Sequence, residues 1–107
     1  MDVLFWNCQD LANADTLLTL KIIVATHKPK ILSLAKPKTN FTISFMNSFT
    51  DGYNFLGACS NNNYVESLWI LYHNYIDDIQ ICFTSNKMIT CVFTHDSKHI
   101  FCTFVYS

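Results

Sequence analysis

Apolar residues change their spacing along this chain, and the changes mark its elements. Residues 2–7, Asp-Val-Leu-Phe-Trp-Asn, form a short run rich in strand formers that stops at the polar pair Gln9-Asp10, which predicts a buried strand. Next, Leu17, Leu20, Ile23, Val24 and Ala25 fall close to the i, i+3, i+4, i+7 spacing of one helix face. Asn13 or Asp15 can accept the free N–H groups at the start of that helix, and Pro29 requires it to end. Ile31–Ala35 is a second short apolar run. Strand, helix and strand in this order make a βαβ unit, whose two strands run parallel with a right-handed crossover.

Beyond Pro37, Phe41, Phe45 and Phe49 recur every fourth residue, which predicts a short amphipathic helix. From Tyr53 onward the period becomes two or the run continuous. Tyr53–Ala58, Ser67–His73, Ile79–Thr84, Met88–Thr94 and Ile100–Tyr106 therefore read as five strands. The turn formers Asn61-Asn62-Asn63, Asp77-Asp78, Ser85-Asn86 and Asp96-Ser97 separate them, and the last three strands read as an antiparallel meander. No repeat or linker interrupts the pattern, so residues 1–107 are expected to be one domain of α/β class, a βαβ unit plus a meander.

Composition narrows the function classes. Half of the residues are hydrophobic and 14% are charged, which supplies a core and excludes a disordered tail. Seven lysines face eight acids, the net charge is −1 and the chain contains no arginine. Phosphate grips and base-edge forks lean on the bidentate guanidinium, so strong nucleic-acid binding is not expected. The apolar run Ile22–Ala25 lies between Lys21 and Lys28 and is too short to span a bilayer, and Asp2 stands where a signal peptide has basic residues. The expectation is a protein without membrane association, in the cytoplasm or nucleus.

Five cysteines, an odd number without a Cys-x-x-Cys pair, read as reduced thiols buried in strands. Cys91, His95, His99 and Cys102 carry the right atoms for zinc, but strand geometry opposes the site. With Asp96-Ser97 as the hairpin turn, Cys91 faces Cys102 while His95 lies about 13 Å further along the same strand. A cysteine–histidine nucleophile pair lacks the glycine elbow and oxyanion loop it would need.

The most informative segments are Val3-Leu4-Phe5-Trp6-Asn7, Leu11-Ala12-Asn13, His27-Lys28-Pro29-Lys30-Ile31-Leu32 and Leu34-Ala35-Lys36-Pro37-Lys38. In this order they resemble the opening of the endonuclease/exonuclease/phosphatase superfamily, the deoxyribonuclease-I-like proteins, and most closely the endonuclease domains of plant LINE-type retrotransposons. There a strand ending in Trp-Asn leads through a helix to His-x-Pro-Asp-Ile-Leu and a second strand ending in Glu-Pro or Glu-Thr. Leu68-Trp69-Ile70-Leu71 and Phe104-Val105-Tyr106-Ser107 fall where the family has its Leu-Trp and Val-Tyr-Ala strands, so the resemblance covers nearly the whole chain.

The resemblance implies the first half of a deoxyribonuclease-I-like α/β sandwich, a fold that cleaves phosphodiesters with magnesium. It places Asn7 where the family orients the reacting phosphate and Tyr106 at the active centre. It also places Lys36 where the family has its metal-binding glutamate, Lys30 in place of aspartate and Asp10 in place of glycine. Magnesium prefers hard carboxylate oxygens, so the lysine opposes it and no cofactor is expected for this chain. The family's later Asp-x-Asn motif and closing Asp-His pair lie beyond Ser107, which implies a partial domain without cleavage activity. A second sheet that would cover the strands is expected to be missing with them, leaving an apolar face for self-association or another protein. On the last strand that face is either Phe101, Thr103 and Val105 or Ile100, Cys102 and Phe104, and the alternation does not choose between them.

Overall fold

The computed structural model describes residues 2–49, 52–60 and 65–106, so the predicted Asn61-Asn62-Asn63 turn lies outside the described residues. Strand β1 (Val3–Asn7) leads into helix α1 (Ala14–His27) and strand β2 (Ile31–Ala35). A short helix α2 (Ile43–Phe49) follows, then β3 (Tyr53–Ser60), β4 (Glu66–His73), β5 (Gln80–Thr84), β6 (Met88–His95) and β7 (Lys98–Val105). The predicted elements are all present, with ends displaced by one or two residues.

Local chemistry explains the boundaries. Asn13, rather than Asp15, caps α1: its side-chain oxygen accepts from the N–H groups of Asp15 at 2.8 Å and Thr16 at 3.4 Å. Lys28 ends the helix in the left-handed conformation at φ 47°, and its N–H donates to the Val24 carbonyl at 2.8 Å. Asp96 and Ser97 both have positive φ, 51° and 63°, as a two-residue type I′ hairpin between β6 and β7 requires.

Two sheets form three layers with the helices. The first has the order β1-β2-β4-β3, with β1 and β2 parallel and the other pairs antiparallel. One of its faces carries Leu32, Leu34, Trp69, Leu71 and Tyr53 against Leu20 and Val24 of α1 and Phe49 of α2. The other face carries Ile31, Ala35, Cys59, Leu68 and Ile70 against Ile89, Cys91, Phe93 and Phe104 of the second sheet, ordered β5-β6-β7. Strand β2 is buried at all five positions because it is covered on both sides, which is why it reads as a continuous apolar run.

Three expectations change. The second sheet is not missing: residues 80–105 form it, because β3 and β4 join the βαβ unit and leave β5–β7 to pack across the opposite face. Strand β1 is only half buried. It is an edge strand, and Val3 and Phe5, on the face turned toward the second sheet, are 42% and 47% exposed because that sheet packs over β3 rather than over β1. On α1, Leu20 and Val24 are buried, whereas Ala25 is exposed and Leu17 and Ile23 are half-buried.

The last strand resolves its own ambiguity. Ile100, Cys102 and Phe104 turn inward, and Phe101 and Val105 are 66% and 54% exposed on the outer face. No described helix is long and apolar enough to cross a membrane.

Candidate active site

Parallel pairing of β1 with β2 places Asn7 beside Ala35, so Lys36 follows directly at the same end of the sheet. Cys8 holds the two strands together there. Its N–H donates to the Ala35 carbonyl at 2.9 Å and its thiol to the same oxygen at 3.0 Å. The Lys36 N–H donates to the Ser67 carbonyl at 3.0 Å, which ties the loop to β4. Lys36 itself has φ 55°, a left-handed conformation that turns the chain out of the strand.

From the second sheet, Tyr106 arrives just past β7, with its N–H donating to the Lys87 carbonyl at 2.7 Å. Asn7, Lys36 and Tyr106 then line one cleft of about 260 Å³ together with Phe5, Ala35 and Val105. The Lys36 ammonium lies 5.9 Å from the centre of the Tyr106 ring, within cation–π range. The uncovered face of β1 keeps the cleft open, since Asn7 is exposed and Lys36 and Tyr106 are half-buried.

The donor set decides what the cleft can hold. Among the described residues it offers an amide, a phenol and an ammonium, without a carboxylate. Magnesium does not fit such a set, because a divalent ion would lack its anionic oxygen anchor and meet a like charge. Among the described residues no group of three or more histidine, cysteine, aspartate or glutamate side chains is placed to hold a metal ion. The same three groups suit a phosphate oxygen, to which all can donate.

The remaining candidates disperse. Cys91 pairs with Cys102 across the ladder as the spacing predicts, while His95 pairs with Lys98 at the hairpin end and lies 3.4 Å from Asp96. Burial pushes the thiols of Cys8 and Cys91 up to about 11 and those of Cys59 and Cys102 upward, the reverse of an activated nucleophile. Lys30 continues from the β2 entrance at the far end of the sheet, where its carbonyl accepts from the His73 N–H at 2.9 Å. Asp10 stabilises a turn, accepting from the Ala12 N–H at 3.0 Å.

One residue escaped the sequence reading. Glu66, the only glutamate, accepts from the Phe41 N–H and from the Trp69 indole N–H, the latter at 2.9 Å, and so ties α2's approach to the sheet. A lone acid directly before an apolar strand was its only signal.

No family model matches the sequence, and no curated protein does. Solved structures do match. The endonuclease domain of TRAS1, a telomere-specific non-LTR retrotransposon, superposes with a TM-score of 0.66 and 16% identity, over 98% of this chain and 45% of that one. The AP endonuclease LMAP from Leishmania major superposes with a TM-score of 0.68 and 19% identity, over 98% of this chain and 39% of that one. The chain thus spans less than half the length of either structure, and at such identities the likeness is one of fold. The chain therefore shares the two-sheet α/β fold of these two endonucleases.

Proposed function

We propose that this chain descends from the magnesium-dependent, phosphodiester-cleaving endonuclease of a LINE-type retrotransposon and does not cleave nucleic acid itself. The observation that carries the reading is the Lys36 ammonium beside Tyr106, in the cleft that also holds Asn7, at the position where the resembling family has a metal-binding carboxylate. The cleft keeps groups that can donate to a phosphodiester and lacks the group that would anchor the metal. With no arginine and a net charge of −1, its affinity for duplex DNA at physiological salt is expected to be that of non-specific binding, about 10⁻⁴ M or weaker.

The test is incubation of the purified chain with supercoiled plasmid and with abasic-site DNA, in magnesium and in manganese. Intact substrate is expected. Metal-dependent nicking that disappears in Asn7→Ala would overturn the inactivity, and nicking that survives Asn7→Ala would overturn the site as well.

A second reading, a non-enzymatic module that binds itself or another protein, is favoured by the outer face of the β5–β7 sheet. There Phe83, Phe101 and Val105 are 53%, 66% and 54% exposed around the Thr90–Thr103 hydroxyl pair. Exposed apolar side chains grouped on one sheet face support a contact surface.

A further inference from the structure

At the end of the first sheet opposite to Asn7, four residues or about 13 Å along β2, lies a second and larger cavity of about 690 Å³. One wall is formed by Lys21, Val24 and Ala25 on one face of α1 and by Lys28, the left-handed residue that ends it. Both lysine side chains line the cavity beside the apolar Val24–Ala25 surface.

The facing wall is aromatic and held in place. Tyr53 lies 5.8 Å from Phe49, and its hydroxyl donates to the Pro29 carbonyl. The His73 ring meets the edge of Tyr53 at 5.1 Å and stacks on Tyr75 at 4.7 Å with an interplanar angle of 23°. Gly52, at φ 85°, makes room for that ring, since a Cβ there would come within 2.8 Å of His73 Nε2. The His73 Nδ1 accepts from the Tyr75 N–H at 3.3 Å, which fixes the ring's orientation. Tyr75 is nevertheless 82% exposed, an aromatic surface offered at the mouth of the cavity.

Charge selects the ligand. The described lining residues include two lysines and no carboxylate. The backbone carbonyls ending α1 and α2 add partial negative charge of about half a unit for a full-length helix, less for the short α2, and one of them is already taken by the Lys28 N–H. Two full ammonium charges exceed that sum. We infer that this cavity is a binding site for a planar aromatic anion, its ring between Tyr53, Tyr75 and the Val24–Ala25 stripe and its anionic group at Lys21 and Lys28. The volume suits such a ligand, because small-molecule sites of about 300–1,000 Å³ are mostly apolar with a few placed polar groups. Nothing in this inference depends on the Asn7–Lys36–Tyr106 cleft.

The probe is 2-naphthoate, with uncharged 2-naphthamide as control, titrated into the full chain and followed by backbone amide shifts. At the ligand efficiency of ordinary small molecules, thirteen heavy atoms correspond to a dissociation constant of about 1 mM. The naphthoate is expected to saturate near that value, to shift Ala25, Tyr53, His73 and Tyr75, and to bind roughly tenfold tighter than the amide, as one charge-assisted contact provides. In Lys21→Gln/Lys28→Gln, two exposed changes that leave the core intact, the preference should fall below about twofold. Equal binding of acid and amide, shifts centred on the outer face of β5–β7, or no saturation by about 10 mM would each overturn the inference.

Discussion

Replacing Lys36 should change what the Asn7–Lys36–Tyr106 cleft can bind more than any other single substitution. Taken as a sphere, a cleft of about 260 Å³ is about 8 Å across, so a divalent ion inside it lies within about 8 Å of the ammonium that lines it. Coulomb's law at that distance gives about 4 kcal/mol of repulsion at an effective dielectric of 20 and about 1 kcal/mol at 80. Because Lys36 is half-buried, the value falls between these limits, at least about fivefold in affinity. Lys36→Gln removes the repulsion and Lys36→Glu reverses it, so the glutamate variant should gain about thirtyfold or more for manganese over the native chain. Lys38→Glu is the control. It makes the same change in net charge two residues away, on an exposed side chain outside the cleft, from a backbone at φ 57° that matches the 55° of Lys36. Paramagnetic broadening of the Asn7 and Tyr106 amides on manganese titration reads the site directly. Broadening is expected in Lys36→Glu at concentrations that leave the native chain and Lys38→Glu unaffected. Submillimolar binding by the native chain at those two amides, or equal behaviour of the two glutamate variants, would refute the electrostatic argument.

Glu66→Ala leaves the fully buried Trp69 indole and the Phe41 N–H without their shared acceptor, and urea unfolding followed by fluorescence should show a loss of about 1–3 kcal/mol, with Glu66→Gln losing less. The thiols of Cys8 and Cys91 rise from 9.0 to about 11 on burial, so they favour the folded state fully below pH 9 and lose that contribution as pH climbs through 11. On the order of 2–3 kcal/mol per thiol should disappear across that window, and Cys8→Ala/Cys91→Ala should flatten this part of the alkaline decline in urea midpoints. Phe101→Lys places a charge on the exposed face of β5–β7, and sedimentation at micromolar concentration should shift from associated species toward monomer; unchanged sedimentation would remove that face as the contact.

How much of this was legible depended on the range of the interaction involved. Alternation and capping are local, so every strand and both helices could be placed, and the cross-strand partnership of Cys91 with Cys102 followed from counting outward from Asp96-Ser97. Strand order is non-local. Nothing between Pro37 and Tyr53 states that β4 will insert beside β2, and that single pairing divides the later strands into two sheets. Burial of β1 was overestimated for the same reason, since an apolar edge strand and an apolar central strand look alike in sequence. The meeting of Asn7, Lys36 and Tyr106 came from a resemblance spread over the ordered chain, while the aromatic cavity escaped notice because its walls come from four separate elements. Glu66 escaped because only tertiary contact reveals what a lone acid accepts.

The insertion of β4 beside β2 also imposes a schedule on synthesis. Strand β2 is apolar at four of five positions and finds its second edge partner only when Leu68–Tyr72 has been made. From Ala35 to His73 a ribosome adding about 5–20 residues per second needs about 2–8 s, long compared with the microseconds in which the β6–β7 hairpin can close around its two-residue turn. During that interval Ile-Leu-Ser-Leu-Ala is a sticky ribbon with β1 alone beside it, so the yield of folded chain should respond to elongation rate and to chaperones that hold extended apolar segments. The local hairpins of the second sheet, by contrast, have little reason to wait.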